Sequence, residues 1–424
     1  MLAEFRVSNY RSFKDEQVLS LIASSEESKG KNSIEVDGHN ILKTAVVYGA
    51  NASGKSNLIK AMDCMNAVIC NSAGYKLSDK IPVTPFLFDE KTKTEPTTFE
   101  ATFFIENIRY QYGFSATIEK IHKEWLLAWP TGKKPQTWFE RGLNTEDPYF
   151  GPNLKGQNKS TWGKVKGNSL FLSVAAQFNH KQLSHVYKWF DRFRELPDKF
   201  KATEITDNLI FIDKNSKEPV GFHDMAVKMF RQADFGVNDF AIDKFNVENI
   251  VFPDDMPVEV QEKFLEDFSE RPRYLKTLYH CDQKYSLPLD EESEGTQRFY
   301  SFFGPLLESA TFGYTIYKDE LELNLHPLLT REIVRSVING EVDNISAQLI
   351  FTTHDTTLLD PELFGRDQIW FTEKDKDGAT QLYSLADYKE TVRKDEAMQK
   401  RYLAGRYGAV PVLERFDLVG TKKK

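Results

Sequence analysis

The chain has 424 residues and carries 55 Lys and Arg against 63 Asp and Glu, a formal net charge of −8. That balance argues against a surface coated with basic charge for nucleic acid, although a local basic groove can sit inside such an average. Three cysteines without metal-ligand spacing (Cys64, Cys70, Cys281) and the lack of any apolar run of membrane-span length lead to the expectation of a cytoplasmic protein with no membrane partner.

Phe5 to Leu21 reads as an edge strand and turn, and Glu4 and Arg6 stand where a signal peptide would need an apolar core. Thr44-Ala45-Val46-Val47-Tyr48 is a short apolar run of the kind that forms a buried parallel strand. It leads into Gly49-Ala50-Asn51-Ala52-Ser53-Gly54-Lys55-Ser56, which fits the phosphate-loop pattern G-x-x-x-x-G-K-S at every fixed position. Two glycines let the backbone curl so that successive N–H groups point at phosphate. Lys55 would reach the β- and γ-phosphates of ATP, and the Ser56 hydroxyl would ligate Mg²⁺. The expected ATP-binding set is Gly49, Asn51, Ser53, Gly54, Lys55, Ser56 and Asn57. Leu58, Ile59, Met62 and Ile69 recur at helical spacing, so the loop opens a helix whose N-terminal dipole faces the anion. The bland alternative is a chance glycine-rich turn.

Thr98 to Ile105 and Ile108 to Phe114 are two β runs joined by Glu106-Asn107, a hairpin signature, and Lys123 to Trp129 adds a further strand. Gly132 to Gly167 turns polar and rich in Gly, Pro, Asn and Lys, which predicts surface loops. Leu170 to Phe200 and Pro257 to Glu270 read as helical. The expected division is an N-terminal ATPase lobe with the phosphate loop and a β subdomain over 1–130, a loop-rich and helical insertion over 131–290, and a C-terminal ATPase lobe over 291–424.

Three further stations follow. Glu292-Ser293-Glu294-Gly295-Thr296-Gln297-Arg298 opens a helix with a Ser-x-Gly turn, which is either an anion cradle or a plain N-cap of Ser293 on Thr296. Tyr314 to Glu320 is a β-rich run ending in an acid pair, with Leu325-His326-Pro327 behind it. Asp319 would hold the Mg²⁺ shell and Glu320 would polarise the attacking water. Lys318 is out of place there, since the residue before such a pair is normally apolar. Ala347 to Asp355 is a strand that carries His354 to the sheet's C-terminal edge, where it can sense the γ-phosphate. Glu320 and His354 are therefore the candidate catalytic pair.

In this order the stations resemble the ABC-type ATPases of the SMC/RecF branch, and more closely the RloA group of bacterial AAA-type ATP-binding proteins, also called AbiL-like. The matching pieces are Asn9-Tyr10-Arg11-Ser12-Phe13, the phosphate loop through Asn57, the Ser-x-Gly turn, Asp319-Glu320 with Leu325-His326-Pro327, Thr353-His354-Asp355, and Gly405-Arg406-Tyr407-Gly408-Ala409-Val410-Pro411. The resemblance implies an α/β fold: an ABC/SMC-like P-loop ATPase head with an antiparallel β lobe and a mainly helical insertion. It implies a Mg²⁺-dependent ATPase, slow unless activated, in a homodimer or higher homo-oligomer. Ser293, Gly295 and Thr296 of one subunit would cap the ATP held by Lys55 of its neighbour. Such proteins are similar to the ATPase subunit of PARIS-type systems. That likeness implies a sensor or gate in anti-phage, abortive-infection defence, beside a separately encoded effector such as a Toprim-like nuclease and a phage protein as trigger. The signature lacks the leading Leu and double Gly of transporter ATPases, and no glutamine stands out as the loop residue that bridges Mg²⁺ to the accessory lobe.

Other readings stay on the page. A DNA-binding repair ATPase of the SMC/RecF kind would need a basic surface, for which Lys422-Lys423-Lys424 is the only hint. A scaffold using ATP as a structural switch would bind tightly without turnover. A fused nuclease could use the acids of Glu373-Lys374-Asp375-Lys376-Asp377-Gly378, but the flanking runs Ile369 to Thr372 and Thr380 to Ser384 make that segment a hairpin turn.

Overall fold

Alternating apolar and polar residues build the first strands. The computed structural model describes residues 1–24, 30, 32–130, 134–142, 148–217, 220–244, 252–253, 256–270, 274–340, 347–388 and 398–411; the Lys422–Lys424 tail lies outside them. Strands β1 (Leu2–Ser8) and β2 (Gln17–Ser20) pair antiparallel, and β3 (Ser33–Val36) and β4 (His39–Leu42) form a separate ribbon. β5 (Thr44–Gly49) is buried at every residue and leads through the glycine-rich loop into α1 (Lys55–Asn71). β6 (Thr97–Ile105) and β7 (Ile108–Ala116) form the expected hairpin, with Glu106 and Asn107 at φ of 47° and 63° as a two-residue type I′ turn demands. β8 (Ile121–Trp129) follows.

The loop reading of 132–167 is corrected by β9 (Gln136–Arg141), β10 (Tyr149–Phe150) and α2 (Asn158–Trp162). β9 escapes a pattern search because only Trp138 and Phe139 of its six residues are buried. The helical reading of 170–200 covers α3 (Phe171–Gln177) and α4 (Lys181–Asp191) but misses β11 (Phe193–Glu195), too short to show a period. Next come α5 (Lys199–Lys214), α6 (Phe222–Gln232), β12 (Val237–Lys244), α7 (Val258–Glu270), β13 (Tyr274–His280), β14 (Tyr285–Pro288) and α8 (Glu294–Phe312). The chain continues with β15 (Thr315–Lys318), α9 (Pro327–Asn339), β16 (Gln348–Thr352), β17 (Ile369–Lys374), β18 (Thr380–Ser384) and α10 (Met398–Leu403).

Two compact units result. The first takes Met1–Glu195, Ser309–Leu323 and Thr330–Lys424; the second takes Leu196–Glu308 and Asn324–Leu329. These boundaries differ from the expected ones: residues 131–195 belong with the phosphate loop, and the Ser-x-Gly turn belongs to the second unit. That unit pairs its helices with an antiparallel sheet, β12-β13-β14, which the sequence hides because β14 is exposed at every residue.

The first unit holds two large sheets. One is antiparallel in the order β10-β9-β8-β7-β6-β1-β2, so β1 is interior and β2, not β1, is the edge. The other runs β11-β15-β16-β5-β17-β18, parallel except for β18. A file of aromatic rings links them: Phe103 stacks on Trp189 at 3.9 Å, Trp189 on Phe193 at 5.4 Å, and Phe193 meets Tyr317 at 5.0 Å. Gln348, fully buried, ties the sheets by polar contact. Its Oε1 accepts from the Leu2 N–H (2.6 Å) and the Thr315 hydroxyl (2.8 Å), and its Nε2 donates to the carbonyls of Leu2 and Leu42.

Glu124 of β8 is likewise fully buried. Its carboxylate accepts from the N–H groups of Phe171 and Leu172 at the start of α3 and from the Tyr112 hydroxyl, with Arg141 3.8 Å away. Burial pushes its pKa up, against the pull of Arg141 and the N–H donors. Glu124→Ala orphans those donors together, and urea unfolding should show a loss of about 3–5 kcal/mol. A loss within experimental error would show that the donors find other acceptors.

Candidate functional site

The site grows from the C-terminal edge of the parallel sheet. β5 lies between β16 and β17 and delivers Gly49, the first loop residue. A Cβ at Gly49 would sit 2.5 Å from both Ser53 Oγ and Thr372 Oγ1. Gly54 adopts φ 119°, and a side chain there would run into Thr380. Both glycines of the motif are thus required, one by close approach and one by conformation. Asn51 is exposed, Ser53 is buried with its hydroxyl 2.7 Å from Thr372 Oγ1, and Ser56 and Asn57 lie half-buried in the first turn of α1.

Lys55 is buried, and its ammonium donates to the carbonyls of Gly49 (2.9 Å) and Ala50 (3.1 Å), which curls the loop around it. Burial lowers its pKa, while the charges of Asp319, Glu320 and Glu322 pull the other way. The loop and the acid pair therefore share one electrostatic site. Asp319 and Glu320 follow β15, whose parallel neighbour β16 ends in Thr352. The Thr352 hydroxyl donates to Asp319 Oδ1 (2.6 Å) and accepts from the Glu320 N–H (2.8 Å), holding Glu320 at φ 50°. His354 Nε2 lies 3.9 Å from Glu320 Oε1, both side chains being close to half exposed. The His354 N–H donates to Glu322 Oε1 at 2.6 Å.

The misplaced Lys318 has its reason in β11, the strand missed from sequence: its ammonium lies 3.9 Å from the Glu195 carboxylate.

Asn9-Tyr10-Arg11-Ser12-Phe13 and the hairpin of β17 and β18 brace the loop from outside. Ser12 Oγ accepts from Asn57 Nδ2 (2.7 Å) and from the Thr380 hydroxyl, which lies 2.8 Å from it and from the Ser53 carbonyl. The hairpin turns at Gly378, φ 78°, so Asp375 and Asp377 lie in the expected turn while Glu373 is paired in β17. Behind it, Tyr407 stacks on Phe371 and its carbonyl accepts from the hydroxyls of Tyr383 and Tyr388. Tyr402 sits 5.6 Å, ring to ring, from Tyr48, the residue before Gly49. The Gly405 to Pro411 segment thus supports the strand that carries the loop. Thr352, Thr380, Ser12 and Glu322 were not picked out from sequence as site residues; for Ser12 alone there was a signal, its place in the Asn9–Phe13 match.

The Ser-x-Gly turn stands on the second unit. Ser293 Oγ accepts from the Thr296 N–H at 3.2 Å and lies 2.8 Å from the Thr296 hydroxyl, so the N-cap geometry is present. Within the same unit, Asn324 donates to Glu294 of this turn at 2.9 Å. At Gly295 a Cβ would meet nothing nearer than 3.7 Å.

The donor set fits a nucleotide and Mg²⁺. Both glycines are needed for the loop's shape, its lysine is buried, and Ser56 and Asp319 offer hard oxygens of the kind that Mg²⁺ takes beside phosphate and water. Among the described residues no helix is long and apolar enough to cross a membrane.

Among solved structures the chain is similar to an SMC head bound to the C-winged helix domain of ScpA, with 11% identity, a TM-score of 0.48, and 90% of this chain and 97% of that one covered. It is similar to the SMC head domain from Thermotoga maritima (11% identity, TM-score 0.39, 90% and 98% covered) and to the recombination mediator protein RecF (13% identity, TM-score 0.31, 90% and 98% covered). Likenesses this distant carry no inference about activity. No curated protein matches the chain. Residues 45–360, from the phosphate-loop strand to beyond His354, match the family described as "AAA domain, putative AbiEii toxin, Type IV TA system". The match takes in the phosphate loop and the acid pair and spans well over half of the sequence, and the chain belongs to this family of P-loop ATPases.

Proposed function

We propose that the protein is a Mg²⁺-dependent ATP hydrolase whose site is completed by a second copy, and that it acts as the sensor and gate of a bacterial anti-phage module of the RloA/AbiL kind. The observation that carries the chemistry is that β5, β16 and β15, parallel neighbours in one sheet, end at the same edge, where Lys55, Asp319 and Glu320 follow them. Lys55 and the loop N–H groups neutralise the phosphates, and Ser56 and Asp319 hold the ion. Glu320 takes a proton from the attacking water, and His354, 3.9 Å from it, steadies the charge that develops.

Gly295 supports the shared site. A glycine near a helix start costs stability, yet neither its backbone nor its neighbours require it. Close approach of an outside group, the γ-phosphate on a second copy's Lys55, supplies the missing reason. The effector is a separately encoded protein, and a phage product is the trigger.

The purified chain alone should cut neither DNA nor RNA, while Lys55→Ala should abolish protection of cells that carry both genes, scored as plaque counts. Full protection by that variant, or robust nuclease activity of the chain alone, overturns the assignment.

A further inference from the structure

The second unit contains a cavity of about 790 Å³, within the range of small-molecule sites. Its apolar wall is Phe200, Leu275, Leu289 and the ring of Tyr274; Phe200 and Leu275 stay largely exposed. Two ammonium groups face it, and they differ. Lys276 is neutralised by Asp207 at 3.0 Å, whose other oxygen accepts from the Tyr300 hydroxyl. Lys199 instead donates to an uncharged acceptor, the amide oxygen of Gln297, at 2.5 Å. Glu204 and Asp290 also line the cavity, yet among the described residues no carboxylate lies within ion-pair distance of Lys199.

Gln297 has a second task. Its Nε2 donates to the carbonyls of Asp290 (3.1 Å) and Glu292 (2.7 Å), the turn that leads directly into Ser293. One side chain therefore holds both the free-charge lysine of the cavity and the backbone before the signature serine.

We propose that this cavity binds a small amphipathic anion: an aromatic or aliphatic body against Phe200, Tyr274 and Leu275, and a single carboxylate or phosphate on Lys199. An acidic head is a stronger acceptor for an ammonium than an amide oxygen is, so the ligand takes Lys199 from Gln297. Gln297 then loses an anchor, and the Asp290–Ser293 turn loosens. The effect on turnover rests on the reading of Ser293 and Gly295 given above; the binding does not.

Calorimetric titration of the full chain with indole-3-acetate and with 3-indoxyl phosphate separates the two acid types, with indole-3-acetamide as the neutral counterpart. One acid should bind, and both the acetamide and the Lys199→Met variant should bind at least about ten-fold more weakly. Thr203→Trp, which fills the cavity, should remove binding altogether. Saturating ligand should speed amide hydrogen exchange over residues 290–297, while the melting temperature of Lys199→Met without ligand shows that the variant is folded. No binding by either acid, equal binding of acid and amide, or wild-type binding by Lys199→Met overturns the site. Unchanged exchange with ligand bound overturns the coupling to the turn. Faster exchange with unchanged ATP turnover counts against the signature reading and leaves the cavity standing.

Discussion

Glu320→Gln should bind ATP and Mg²⁺ as the wild type does while steady-state turnover falls by about two or more orders of magnitude. The substitution keeps the size of the side chain and leaves the Glu320 N–H bond to Thr352 in place. Asp319 and Ser56, the proposed ligands of the ion, and Lys55, proposed to hold the phosphates, are untouched. What is lost is the carboxylate proposed to accept the proton from water. ATP-loaded subunits should therefore persist as a stable assembly, visible as a larger species in sedimentation with ATP present. Unchanged turnover moves the role elsewhere, and His354, 3.9 Å away, is then the group to substitute next.

Lys55→Ala attacks the step before. Its ammonium is buried and sits among loop carbonyls, so folding has already met the desolvation cost of a positive charge at this position. Truncating a buried, hydrogen-bonded member of a charge pair costs about 3 kcal/mol or more, so ATP affinity should fall by about 100-fold or more. Fluorescent-nucleotide titration measures this directly. Wild-type affinity in the variant refutes the phosphate-loop assignment.

Local chemistry was legible from sequence. The run Thr44–Tyr48 is apolar at nearly every position because the strand is buried on both faces. Glu106-Asn107 tolerates the positive φ that its turn demands. Glu320 and His354, 34 positions apart, come together because each lies two residues past the end of neighbouring strands in one parallel sheet. What escaped was non-local or too short to carry a period. The Ser12 bracket bridges 45 residues to Asn57 and 368 to Thr380, and no local pattern records such distances. β11 has three residues and β14 no buried one, so neither gives an apolar alternation. The second unit is assembled from 196–308 together with 324–329, a split that composition along the chain does not mark.

The central claim, a site built by two copies, is tested by mixing two defective chains. Lys55→Ala should bind ATP too weakly to turn it over, and Gly295→Asp sets a carboxylate where phosphate should approach, with room for it inside its own unit. Each alone should be inactive. An equal mixture should recover about a quarter of wild-type turnover, since random pairing gives half heterodimers and each heterodimer has one of its two sites intact. No recovery at any ratio, with the protein monomeric in the presence of ATP, would contradict the shared site.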